Sequence, residues 1–451
     1  MNSSLASRLK RSGLWVLLGL GLSQALRFSS NLILTRLLMP EHFGLMAVAT
    51  VAMVVIGLIL DVGIRQALIR SPRAEDPAFL STAFTLQILR ALVIGVIGSS
   101  VALGLLALGR TDLFPPGSVY RSELLPGMVA LMAWSMLPAG CNSPNLEMAD
   151  RRLQIRQSTL IELTAQFSGL LSTALIAWST RSPWSLVAGP WISASVTAIL
   201  SHLILPGPKV RFGWDPVAAR EILGNTRWIL AATALSMLAM NFDRLFLGGA
   251  IDATLLGCYA IALSLYNVVE MIIQRLTGRI SFPAFSEIQR ERPQDLRRGL
   301  DRIQLPVDIG LGLIAGVFFH AAVPLVDLFY DDRYAAAGPM FSTLAIGLIG
   351  VRLNVTSGAF MARGRFDLLT HVQALNCVTL LLGLPQAFSW GGLPAALWAL
   401  ALHRLPSTFL VMAYARGLGI GRGLREWAVV PALAAGYLIG LVCCALVPVI
   451  G

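Results

Sequence analysis

"ALRFSSNLILTRLLMPEHFG", residues 25–44, sets Arg27 and Arg36 inside a run that is otherwise apolar enough to cross a membrane. A guanidinium at the bilayer centre costs about 2.5–3.5 kcal/mol, so it persists only where protein, water or a headgroup receives it. Arg36, near the outer end of the run, reaches the interface by snorkelling and is mainly positional. Arg27 lies near the middle, one turn before Asn31 on the same helical face. Two readings stay open for it: Arg27 and Asn31 line one wall of a polar cavity, or Arg27 pairs with Asp61 or another internal carboxylate.

The rest of the chain has the same character. Of 451 residues, 56% are hydrophobic and 13% charged, with a mean hydropathy of +0.71, far above that of a soluble domain. The fold class is an all-α integral membrane protein. A net charge of +11 would suggest nucleic acid in a soluble chain. Here Lys and Arg gather in alternate loops, and no basic run is interleaved with exposed aromatics, so nucleic acid is not an expected partner. The five cysteines, Cys141, Cys258, Cys377, Cys443 and Cys444, lie in apolar stretches without ligand spacing and read as packing residues. After "MNSSLASRLKRSGLW" the apolar run continues without a small-residue cleavage site, which predicts a retained first helix.

Spanning-length segments fall at 13–37, 42–69, 79–108, 121–148, 157–179 and 184–205, then at 224–250, 254–280, 304–328, 337–362, 368–388 and 393–415, with a last run at 427–449. The even-numbered loops carry Arg70 and Arg73, Arg151 and Arg152, Lys209 and Arg211, Arg297 and Arg298, Arg363 and Arg365, and Arg416, Arg422 and Arg425. The odd ones are nearly bare, and "DLFYDDRY" is acidic, which predicts a cytoplasmic N-terminus. The loop around 281–303 reads as a basic surface helix.

At a constant offset Trp15 meets Trp228, Leu32 meets Leu245, Gly44 meets Gly257 and Ala47 meets Ala260. The match predicts two six-helix lobes, 1–205 and 224–415, related by a pseudo-two-fold axis along the membrane normal around a central cavity. Residues 206–223 form a cytoplasmic linker, in which Asp215 and Pro216 have the pattern of an N-cap and first helical residue. Residues 416–451 add a further transmembrane segment.

Besides Arg27, the expected spans hold Asp61, Arg90, Glu162, Asp243, Arg244, Glu270, Arg352, His403 and Arg404. Buried guanidinium groups in excess of carboxylates favour an anionic ligand, and the planar fork of Arg suits phosphate. Arg27, Asn31, Arg244, Arg352 and Arg404 are the candidate contacts to a diphosphate or glycan. Asp61, Asp243 and Glu270 are candidate ion-coupling groups or structural partners. Hydrolase, nucleotide-binding and metal motifs are absent from the sequence, so no catalytic residue, metal or cofactor is expected and the protein reads as a non-enzyme.

The portions "NLILTRLLMPEHFGLMAVAT", "GLILDVGIRQALIR", "DPAFLSTAFTLQILR", "MNFDRLFLGGAIDATLLGCYAIA" and "GAFMARGRFD" resemble the polysaccharide flippases of the multidrug/oligosaccharidyl-lipid/polysaccharide exporter superfamily. The resemblance implies a transporter of the bacterial inner membrane that moves an undecaprenyl-diphosphate-linked oligosaccharide from the cytoplasmic to the periplasmic leaflet by alternating access. It also implies membrane lipids and other polysaccharide assembly proteins as partners. Two rival readings are an ion-coupled exporter of cationic drugs and a membrane polysaccharide polymerase or ligase. The excess of membrane Arg disfavours the first, and the short outward loops disfavour the second.

Overall fold

The computed structural model describes residues 3–61, 63–152, 154–208, 210–223 and 241–446. Among them every regular element is helical, and nine stretches are long and apolar enough to cross a membrane, with Leu124–Gly140 as a shorter apolar piece. Their outer faces carry large apolar side chains in the open, such as Leu103, Trp178 and Trp390. In water such surfaces would aggregate, whereas in lipid they are at home, so this is a multi-pass membrane protein.

The chain divides into two compact units, Met1–Leu256 and Gly257–Gly451. The first holds α1 (Ser3–Leu37), α2 (Pro40–Ile59), α3 (Ile64–Arg70), α4 (Pro77–Gly109), α5 (Leu124–Trp134), α6 (Met136–Gly140), α7 (Asn145–Arg151), α8 (Ile155–Thr180), α9 (Trp184–Ile204), α10 (Pro216–Leu223) and α11 (Phe242–Ala250). Lipid supplies no hydrophobic force between helices, so small residues do the joining. A Cβ on Gly169 of α8 would lie 2.8 Å from the Gly189 carbonyl oxygen of α9, so only glycine allows that approach.

Among the described residues of the first unit, two expected spans are interrupted. The segment expected at 42–69 is α2 and α3, broken where Gly63 takes a left-handed φ of 67° and donates its N–H to Asp61 Oδ1 at 3.2 Å. The segment expected at 121–148 is α5, α6 and α7. The linker behaves as its sequence suggests at the N-cap, since Asp215 Oδ1 accepts the Val217 N–H at 3.0 Å and Pro216 opens α10. It is also tied to the first unit: Asp215 N–H donates to Thr82 Oγ1 at 2.8 Å, and Arg73 Nη2 donates to Asp215 Oδ2 at 2.9 Å. That guanidinium holds the Asp215 carboxyl below the usual carboxylate range. Residues 224–240, including the Trp228 half of the expected repeat, lie outside the described residues.

The second unit takes most of α12 (Ala253–Glu291), then α13 (Leu296–Phe329), α14 (Ala337–Ala345), a 3-10 turn at Ile346–Arg352, α15 (Leu353–Ala362), α16 (Phe366–Leu402), α17 (Leu405–Gly417) and α18 (Val429–Leu446). The basic loop expected at 281–303 is mostly helix, because α12 and α13 run past the expected span ends and leave a 3-10 turn, Pro293–Asp295, between them. Inside α16, Gly391 and Gly392 leave helical geometry, Gly392 with a φ of 62°, and this corner separates the expected spans 368–388 and 393–415.

The most extensive helix pairing of the unit is between α13 and α18. Gly312 and Gly316 on one helix and Gly436 and Gly440 on the other form two GxxxG patterns that let the backbones nearly touch. A Cβ on Gly312 would lie 2.6 Å from the Val429 carbonyl oxygen, and one on Gly316 would lie 2.5 Å from the Tyr437 amide nitrogen.

Candidate functional site

Helix α1 carries Arg27 exposed and Asn31 half-buried, one turn apart. The helix is held on α8 by paired bonds of Ser23, whose hydroxyl donates to Gln166 Oε1 at 2.7 Å while Gln166 Nε2 donates to the Ser23 carbonyl at 3.1 Å. Among the described residues no carboxylate lies within ion-pair distance of Arg27. The expected alternative partner, Asp61, faces Arg90 at 3.6 Å instead. Arg90 also donates from Nη2 to the Gly57 carbonyl at 2.9 Å, so it closes the C-terminal end of α2 where the chain breaks. Arg36 is exposed, and so is Glu162 on α8.

The adjacent Asp243 and Arg244 of α11 diverge, as neighbours on a helix must. Asp243 is buried, while half-buried Arg244 donates from Nη1 to Asn241 Oδ1 at 3.2 Å.

In the second unit, Glu270 of α12 meets Arg404, which lies in the break between α16 and α17; Arg404 Nη1 donates to Glu270 Oε1 at 2.6 Å. Buried Tyr266 sits one turn before Glu270. Gly350 in the 3-10 turn makes room for the Arg404 stem, since a Cβ there would lie 2.7 Å from Arg404 Cδ. His403 contacts the Leu400 carbonyl through Nδ1 at 2.6 Å.

Arg352 has a different setting. It is buried and donates from Nη2 both to Asp308 Oδ2 at 3.1 Å and to the Glu426 carbonyl at 2.8 Å. Asp308, fully buried on α13, also accepts from Arg422 Nη1 at 2.7 Å. Arg422 Nε donates to Asp301 Oδ1 at 2.7 Å, and Glu426 accepts from the Arg422 N–H at 3.0 Å and from Arg416 at 2.9 Å. A cavity of about 20 Å³, room for a water molecule, adjoins this cluster and is lined in part by Gln304, Thr356 and Thr408. Arg352 therefore belongs to an internal ion network that fastens the segment before α18 to α13 and to the 3-10 turn. Arg422, which the loop count treats as a topogenic charge, is one of its centres. A sequence signal for the cluster exists: Asp308 is an unexplained acid in an apolar run, and Arg422 and Glu426 are four residues apart.

The described residues thus form an all-helical multi-pass membrane protein with charges paired inside its apolar stretches. The fold matches that of a solved lipid II flippase, MurJ, with a TM-score of 0.65 over 97% of this chain and 100% of that one at 11% identity. It also matches an inward-facing multidrug resistance MATE family transporter of the MOP superfamily, with a TM-score of 0.62 over 88% and 94% of the two chains at 13% identity. Within that fold, the chain belongs to the polysaccharide biosynthesis protein family, whose model matches residues 33–309. It is 24% identical to the teichuronic acid biosynthesis protein TuaB of Bacillus subtilis over 76% of this chain and 69% of that one. It is also 24% identical to the lipopolysaccharide biosynthesis protein WzxC of Escherichia coli, over 78% and 68%. The family expected from the sequence is the family found.

Proposed function

We infer that this protein flips a diphosphate-linked lipid oligosaccharide from the cytoplasmic to the periplasmic leaflet of the bacterial inner membrane, for polysaccharide biosynthesis, by alternating access and without catalysis. The family and the relatives named for polysaccharide synthesis support the substrate class, and the flippase fold supports the movement. The observation that carries the reading is Arg27, an exposed cation near the middle of an expected span with no carboxylate in reach among the described residues. Such a charge is retained where an anion comes to it. With the cytoplasm negative, each negative charge moved outward gains about 2.3 kcal/mol per 100 mV, so the headgroup carries its own driving force. A cationic drug fits less well, because Asp61 and Glu270 are already committed to Arg90 and Arg404. The lobes at 1–205 and 224–415 are the moving halves of this proposal, with Arg244 and Arg404 as further headgroup contacts.

Arg27→Ala is expected to lower glycan export by about 10- to 100-fold at normal membrane levels, the loss of one charge-assisted contact worth about 1.5–3 kcal/mol. Arg27→Lys should recover only part, because an ammonium lacks the two-pronged donor, while Arg36→Lys should be nearly silent. Full export by Arg27→Ala would remove the central support for the reading. The orientation is tested separately in a cysteine-free background. Periplasmic thiol reagent should label a cysteine at Asp331 and spare one at Arg297, and the reverse pattern would invert the topology.

A further inference from the structure

We propose that Glu270 is an internal stand-in for substrate phosphate, occupying Arg404 when no headgroup is bound and competing with it when one arrives; this rests on the flippase reading above. The two candidate contact arginines of the second unit, Arg352 and Arg404, differ in a way that separates structural from exchangeable pairing. The Arg352 side chain is 5% exposed and its partner Asp308 is 0% exposed, and a second guanidinium, from Arg422, grips the same carboxylate. That arrangement has no free approach. The Arg404 side chain is 25% exposed and Glu270 11%, and the hydrogen bond between them uses one nitrogen and one oxygen.

The backbone around Arg404 favours a pivoting head on a fixed stem. Its carbonyl accepts from both the Thr408 N–H and the Thr408 hydroxyl at 3.0 Å, which anchors the start of α17. Gly350 lets the stem lie directly on the 3-10 turn, where any Cβ would push it away. Broken helices inside a span are tolerated where they line protein or a polar path, and the His403–Arg404 break falls inside the expected span 393–415.

The chemistry follows from donor geometry. A carboxylate held through a single bond cancels the cost of an unpaired guanidinium in the membrane but leaves most of the planar fork unused. A phosphate offers two oxygens to that fork and carries more charge, so it displaces Glu270. The displaced carboxylate then stands beside a diphosphate and repels it. Binding is thereby kept loose enough for release, as a transport site requires. Glu270 acts here on affinity through Arg404 and touches no substrate, so it is a positioning residue.

The test measures binding of undecaprenyl diphosphate to the full-length protein in nanodiscs, with undecaprenol as control lipid. Glu270→Gln keeps the shape but removes the competing charge, and it should tighten binding about tenfold while slowing export. Glu270→Asp, whose shorter arm loosens the pair, should shift binding in the same direction and serves if the glutamine variant does not fold. In an Arg404→Gln background the Glu270→Gln change should have no further effect on affinity. Unchanged or weaker binding in the Glu270 variants, with lowered thermal stability, would overturn the exchange and leave a structural pair. If the wild-type protein does not distinguish undecaprenyl diphosphate from undecaprenol, the flippase reading itself fails and the exchange falls with it.

Discussion

Asp308→Ala is expected to cost the protein a large fraction of its stability, lowering membrane yield and the melting temperature in detergent more than any change at Arg27, Arg244 or Arg404. The carboxylate is fully buried and accepts from both Arg352 and Arg422. Its removal leaves two buried guanidinium groups facing each other, and breaking such a pair from one side costs about 3–5 kcal/mol. Against a typical stability of about 5–15 kcal/mol that is a large fraction. Replacing Asp308, Arg352 and Arg422 together by apolar residues of similar volume should recover part of the loss, since the penalty comes from uncompensated charge rather than from missing contacts. A melting temperature for Asp308→Ala within a degree or two of wild type would show that the network does not hold the unit together.

Gly316→Leu is the second large effect. A Cβ at this position already meets the Leu433 carbonyl and lies 2.5 Å from the Tyr437 amide nitrogen, so a full leucine forces α18 away from α13. Overpacking costs about 1–3 kcal/mol where neighbours can yield, and more where the obstacle is backbone, as here. Protease should gain access to α18 in the variant. Gly310→Ala is the matched control: a Cβ there meets nothing within 4 Å, and alanine improves helix propensity, so its stability should be equal or higher. Equal behaviour of the two variants would mean that the close helix contact contributes nothing.

The membrane class, the family and most span positions were legible because each is written locally, in apolar run length and in loop charge. Long-range pairing was not. Asp61 stood as an alternative partner for Arg27, but the broken end of α2 gives it to Arg90, on a helix that starts only after the α3 turn. The break itself had a local signal in Asp61 and Gly63, hidden because the surrounding run is apolar throughout. Arg352 read as a ligand contact because its partners, Asp308 and Glu426, are 44 and 74 residues away. Arg404 and Glu270 likewise stand 134 residues apart, and only the fold brings them together. The two GxxxG patterns were visible in the letters, yet nothing local says that Gly316 and Gly436 face one another.

The ion network also sets an order on biogenesis. The ribosome makes Asp301, Asp308 and Arg352 well before Arg416, Arg422 and Glu426, so early in insertion Asp308 has only Arg352 of its two guanidinium partners and Asp301 has neither Arg422 nor Arg425. Their balance is restored only when the segment leading into α18 arrives, and α18 then seats its glycines on α13. Helix α18 thus works as a keystone, made after α13 and locked onto it by the charges that precede it.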